Sequence, residues 1–247
     1  MNNIDYKKLE KKDGFIIIKI NNIAKIIFST AENERSFNRN TKEGINELDL
    51  LKDEFSVKNV VYLKQVHSNN VLSYDNKNIE INNKEGDAII TNNKNVIIGV
   101  FTADCVPVIL IDEVKKVLAT VHSGWRGTFE SITLKTIEKM KKDYNCESKN
   151  IKAYIGPHIR SCCYEVSEEL KHKFIKKKKD INEKYLFNGR NLNLELCIVN
   201  DLRNSGLLEN NINTLGLCTY CNNDIKLYSY RKSNGDYGRM FAFGILE

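Results

Sequence analysis

No apolar run in this chain approaches the length of a membrane span, so a helical membrane anchor is not expected. The opening stretch, MNNIDYKKLEKKDG, lacks the zones of a secretory signal, and a cytoplasmic setting is expected. Without such a signal, the seven cysteines read as thiols or metal ligands rather than a disulfide framework. No internal repeat, low-complexity linker or composition break divides the chain, so residues 1–247 read as one domain. Histidine is scarce, with four residues, and tryptophan occurs once, at Trp125. No local pair of the HExxH type is present.

The residues present suit a globular α/β protein. Hydrophobic residues make up 41% and charged residues 28%, a balance that excludes a disordered chain. The net charge of +6 is spread along the sequence. Its one tight basic run, 176–179, reads as a solvated helix end, and no nucleic-acid or membrane partner is expected.

The organising stretch is 99–128. Short apolar runs rich in β-branched residues over 96–101, 106–111 and 117–121 predict buried strands. Before them, a hairpin is predicted over 15–20 and 24–28, an irregular segment over 29–40, and a helix over 41–55 capped by Thr41. Strands follow over 60–65, 71–74 and 87–91, with a polar loop over 75–86. Beyond the centre, helices are predicted over 129–144, 167–178 and 192–206, and strands over 151–155, 213–217, 226–230 and 239–246. Residues 162–166 read as extended.

His67 and His122 each end an apolar strand and precede Ser and a turn, and Cys105 has a comparable position. Two imidazoles and a thiolate are good zinc ligands, and three protein ligands with an open fourth position is a catalytic layout. The same residues also read as a buried thiol beside two partly exposed histidines, or as a Cys105–His122 nucleophile and base. Asp104 reads as a turn former or as support for a ligand. Gly124 to Thr128, opening a helix, suits an anion, with Arg126 contributing charge and Trp125 a flat face for a base. Arg231 and Arg239 flank a turn around Asn234-Gly235 and could add anion contacts. Cys218 and Cys221 form a CxxC without a second pair. Cys162 and Cys163 read as ordinary thiols, Cys146 and Cys197 as structural, and His172 as solvated.

QVHS (65–68), GDAIIT (86–91), TADCVPVIL (102–110), HSGWRGT (122–128), IGPHIRSCCYEV (155–166), CTYC (218–221) and YSYRKSNGDYGRM (228–240) resemble the YfiH/YlmD family over about 15–246. That family is also called the laccase-domain or multicopper polyphenol oxidoreductase family, or the peptidoglycan editing factors. The resemblance implies a single α/β domain with layered mixed β-sheets flanked by helices, similar to the catalytic domain of cytotoxic necrotizing factor. It implies zinc held by His67, Cys105 and His122, the catalytic set, and substrate contacts from Asn38, Asp87, Arg126 and Arg231. It also implies a monomer acting on a purine nucleoside and phosphate: phosphorolysis of adenosine, inosine or methylthioadenosine, and deamination of adenosine.

The alternative activity is a zinc amidase that edits muropeptide precursors. A copper-dependent phenol oxidase is a further reading, but four histidines cannot build the several sites of a multicopper oxidase. A Cys–His thiol hydrolase and a non-enzymatic scaffold complete the alternatives. The chain departs from the family after Phe28-Ser29-Thr30, where the Gly-rich turn and arginine are replaced by Ala31-Glu32-Asn33-Glu34. Whether Arg35 takes the place of that arginine is left open by the sequence. His158 stands where the family has a smaller residue.

Overall fold

The computed structural model describes residues 1–75, 81–234 and 238–247. The loop expected over 75–86 and the turn expected around Asn234-Gly235 lie partly outside them. The predicted core strands form because their residues are apolar on both faces, as strands buried between layers must be. Val96–Thr102, Val106–Asp112 and Val117–Ser123 are buried at every position.

They belong to two mixed sheets. One has seven strands in the spatial order Asn2–Asn3, Ile212–Thr214, Ile151–Ile155, Val106–Asp112, Val117–Ser123, Ala88–Thr91 and Val71–Ser73. The other has six, in the order Glu10–Lys12, Phe15–Ile20, Ala24–Ser29, Met240–Leu246, Val96–Thr102 and Asn59–Val61. Alternation sorts each strand's residues between layers. Ile109 and Ile111 point toward the other sheet and meet Ile26, Phe28 and Ile98 in the central layer. Val106, Val108 and Leu110 point outward, against Ile137 and Met140 of the helix Ile132–Tyr144 and Ile198 and Leu202 of the helix Leu194–Asn204. The six-stranded sheet buries Ile17, Ile97 and Phe243 against Leu48 and Leu51 of the helix Lys42–Glu54. The result is a single mixed α/β domain of four layers.

Local chemistry explains the boundaries. Thr41 Oγ1 accepts from the Gly44 amide and caps the first long helix. Ser167 does the same for Glu168–Lys177. The helix expected over 129–144 starts later, at Ile132, separated from a short helix Trp125–Phe129 because Ser131 is left-handed (φ 57°). A buried ion pair holds the break: Lys178 Nζ lies 3.1 Å from Asp201 and donates to Ser131 Oγ at 2.7 Å, while Ser131 donates to Asp201. Lys178 is therefore buried rather than solvated.

The strand expected over 226–230 does not form. No sheet strand pairs with it among the described residues, and Ser229 instead caps the short helix Tyr230–Ser233. The extended reading of 162–166 gives way to a turn at its start. Of the strand expected over 60–65, Asn59–Val61 pairs in the sheet.

Candidate metal centre

The trio joins a strand end, a turn between two strands and a loop; His67, expected to end a strand, lies in the loop, since its strand stops at Val61. His67 follows the Asn59–Val61 strand in a loop anchored by Gln65. The Gln65 side-chain amide donates to the Phe101 carbonyl at 2.9 Å and accepts from the Phe101 N–H at 2.6 Å, replacing a strand partner. His67 itself is left-handed (φ 58°), a cost the loop offsets through Asp87. The Asp87 carboxylate accepts from the His67 amide at 3.1 Å, the Ser68 amide at 2.6 Å and the Ser68 hydroxyl at 2.7 Å. It also accepts from His122 Nδ1 at 2.8 Å. Burial pushes the Asp87 carboxyl up, but the His122 and Ser68 hydrogen bonds outweigh it and hold it below its ordinary value.

Cys105 sits in the turn between Val96–Thr102 and Val106–Asp112, after Asp104 in a positive-φ conformation (φ 94°). Asp104 supports this turn from outside the trio: its carboxylate accepts from Thr219 Oγ1 at 2.6 Å and the Arg231 amide at 2.7 Å. His122 ends the Val117–Ser123 strand and is 3% exposed.

The ligand atoms of His67, Cys105 and His122 all lie within 4.8 Å of one another. Cys105 Sγ is 3.8 Å from His67 Nε2, and the two imidazole rings meet edge to face at 4.9 Å. A tetrahedral zinc with Zn–N of about 2.0 Å and Zn–S of about 2.3 Å separates N from S by about 3.5 Å, so the trio fits that ion. Asp87 on His122 Nδ1 leaves Nε2 for the metal, the carboxylate–histidine arrangement that orients metal ligands. Gly124 completes the cradle. A Cβ there would stand 2.8 Å from His67 Cδ2 and 3.0 Å from Cys105 Sγ. Burial alone raises the Cys105 thiol, but the charges and hydrogen bonds of His122 and His67 outweigh it and bring it to about 6. His122 is raised to about 9, against burial, by Cys105 and Asp87.

The trio lies in a cleft of about 480 Å³. Asn38, Arg126 and Arg231 line it, as do Trp125 and Arg239. The Arg126 guanidinium stacks 4.8 Å from the Trp125 ring. Arg231 lies 5.4 Å over the Tyr164 ring and donates to the Glu165 carbonyl. Asp87, expected among the substrate contacts, lies instead behind His122, 1% exposed and fully used by His122 and the 66–68 loop. Thr128, expected to open a helix toward an anion, lies inside the short helix. Its hydroxyl bonds Ser123, and its amide donates to the Gly124 carbonyl.

Arg35 does not reach the cleft. Its guanidinium pairs with Glu47 and Glu54 and lies over Phe15 and Phe37. Arg39 lines the cleft in its stead, a residue the sequence reading passed over although it adjoins Asn38. Tyr164 was also missed. Burial and the nearby Cys105 charge push its phenol well above the ordinary range.

The other histidines stand apart. His158 is fully buried, with Nδ1 donating to the Gly156 carbonyl, and His172 lies on an exposed helix face. The trio therefore contains two of the four histidines, and a multicopper centre has no further imidazoles to draw on.

The family described as multi-copper polyphenol oxidoreductase laccase matches residues 25–247, and the chain belongs to it. The chain is 44% identical to a purine nucleoside phosphorylase of Clostridium acetobutylicum, over 97% of this chain and 98% of that protein. In fold it is similar to YfiH of Bacillus licheniformis, with a TM-score of 0.88 at 22% identity, covering 96% of this chain and 98% of that one. It is likewise similar to YlmD of Geobacillus stearothermophilus, with a TM-score of 0.86 at 19% identity, covering 97% and 98%.

Proposed function

We propose that this chain is a zinc-dependent purine nucleoside phosphorylase that also deaminates adenosine and accepts methylthioadenosine. The observation that carries the reading is the juxtaposition of the His67–Cys105–His122 trio with a cleft wall bearing Trp125 and four arginines, Arg39, Arg126, Arg231 and Arg239. The near full-length relative bearing the phosphorylase name supports it.

His67, Cys105 and His122 would hold the ion, which when bound supplies Lewis acidity and lowers the pKa of a coordinated water. The surrounding residues define the rest. The Trp125 face offers a stacking surface for a purine, and its stacking with Arg126 fixes that guanidinium at the cleft rim. Guanidinium forks match phosphate oxygens. Arg231 is held in place by its bond to Glu165 and by the Tyr164 ring. In phosphorolysis a phosphate oxygen bonds to ribose C1′, the C1′–N9 bond breaks, and the base leaves with the bonding pair and takes up a proton. The arginines hold the phosphate for that attack, and the protonated Tyr164 phenol adds a hydrogen-bond donor on the same wall. Deamination asks the wall to present C6 of the base toward the trio.

The test is base and inosine formation from adenosine, inosine and methylthioadenosine, with and without phosphate, in wild type and Arg231→Ala. Phosphate-dependent base release that weakens in the variant supports the proposal. Absence of nucleoside turnover, with release of an amino acid from a muropeptide, assigns the trio to an amidase instead.

A further inference from the structure

We infer that Cys162, Cys163, Cys218 and Cys221 form a second metal site, a closed tetrathiolate that takes one zinc-class cation and clasps two segments of the cleft wall. The four sulfurs lie within 4.8 Å of one another, and Cys162 Sγ and Cys221 Sγ are 3.5 Å apart. Four thiolates around one tetrahedral cation at about 2.3 Å stand about 3.8 Å apart, which this spacing brackets. Thiolate sets select soft or borderline cations, and four protein ligands leave no open position for a substrate.

The backbone builds this convergence without help from the sulfurs. The His158 amide donates to the Leu217 carbonyl at 3.2 Å, and the Thr219 amide donates to the His158 carbonyl at 3.0 Å. These bonds set the 161–163 turn beside the 219–221 turn. The Arg160 amide donates to Cys218 Sγ at 3.5 Å. In the sequence, CxxC lacks its second pair; in the fold, the adjacent Cys162 and Cys163 supply it.

The site lies outside the cleft but grips its wall. Ile159 and Tyr164, which line the cleft, flank the 161–163 turn. Thr219, beside Cys218, donates to Asp104, whose carboxylate also holds the Arg231 amide. A cation across the two turns therefore stiffens the support of Cys105 and Arg231 together. Binding replaces thiol protons with the cation and needs no oxidant or reductant.

The experiment is performed on protein purified under reducing conditions, in the Cys105→Ala background, which removes the only sulfur of the first site, so that a thiolate-to-cobalt band must arise elsewhere. Zinc is counted by elemental analysis, and cobalt is then titrated into the metal-free protein. The expected result is one zinc per chain in Cys105→Ala, with intense thiolate-to-cobalt charge transfer on titration. Both are lost when Cys221→Ser or Cys162→Ser is added. These two cysteines are exposed, and thermal melts of both double variants check that the fold survives. A Cys105→Ala protein without zinc and without the cobalt bands overturns the inference. Retention of the cobalt bands in both double variants does the same.

Discussion

Asp87 lies between the two histidines of the trio, accepting the His122 Nδ1 proton at 2.8 Å and the His67 amide at 3.1 Å. One carboxylate thereby fixes the tautomer of one ligand and the left-handed backbone of the other. Replacing Asp87 with Asn puts an NH₂ among donors and removes the charge. Zinc affinity at the trio, measured by chelator competition, should fall by about 10–100-fold. An unchanged affinity would separate Asp87 from the centre.

Gly124→Ala tests the cradle. The added methyl meets His67 at 2.8 Å and Cys105 at 3.0 Å, so the trio must spread. The expected outcome is loss of zinc from the trio, with a stability change of about 1–3 kcal/mol in urea unfolding, as for other overpacked sites.

The pH dependence of Cys105 follows from its neighbours. The thiolate is the reactive form. A group held at about 6 stays thiolate as pH falls from 9 toward 6 and loses reactivity only below that. In metal-free protein, alkylation of Cys105, followed by peptide mass spectrometry, should therefore decline through about pH 6. Cys197, pushed up by burial to about 12, should stay unreactive throughout. Added zinc should protect Cys105.

Much of this architecture is legible in the sequence, for physical reasons. The strands from Val96 to Ser123 are buried on both faces, so an unbroken apolar run marks them. Thr41 and Ser167 announce their helices because capping is local chemistry. What the sequence hides is tertiary. The break at Ser131 depends on Lys178 and Asp201, 47 and 70 residues away. Arg35 is open as a cleft residue until Glu47 and Glu54 claim it. Asp87 reads as a cleft residue because its motif adjoins the site, and only the fold shows it facing the back of His122. The four-cysteine cluster is invisible because adjacent cysteines carry no ligand spacing.

The Lys178–Asp201 pair gives a stability prediction. Lys178→Met leaves Asp201 buried without its cation and should cost about 3–5 kcal/mol in urea unfolding. Adding Asp201→Leu should recover most of that loss, because no unpaired charge then remains in the core.

Phosphate-dependent base release from adenosine reports whether the trio is the working centre of a nucleoside phosphorylase. Wild type and Cys105→Ala are compared on the same samples by zinc content. The expected result is base and ribose 1-phosphate from the wild type, and a variant that lacks one equivalent of zinc and all turnover. A variant with the wild-type zinc content and wild-type turnover would contradict it.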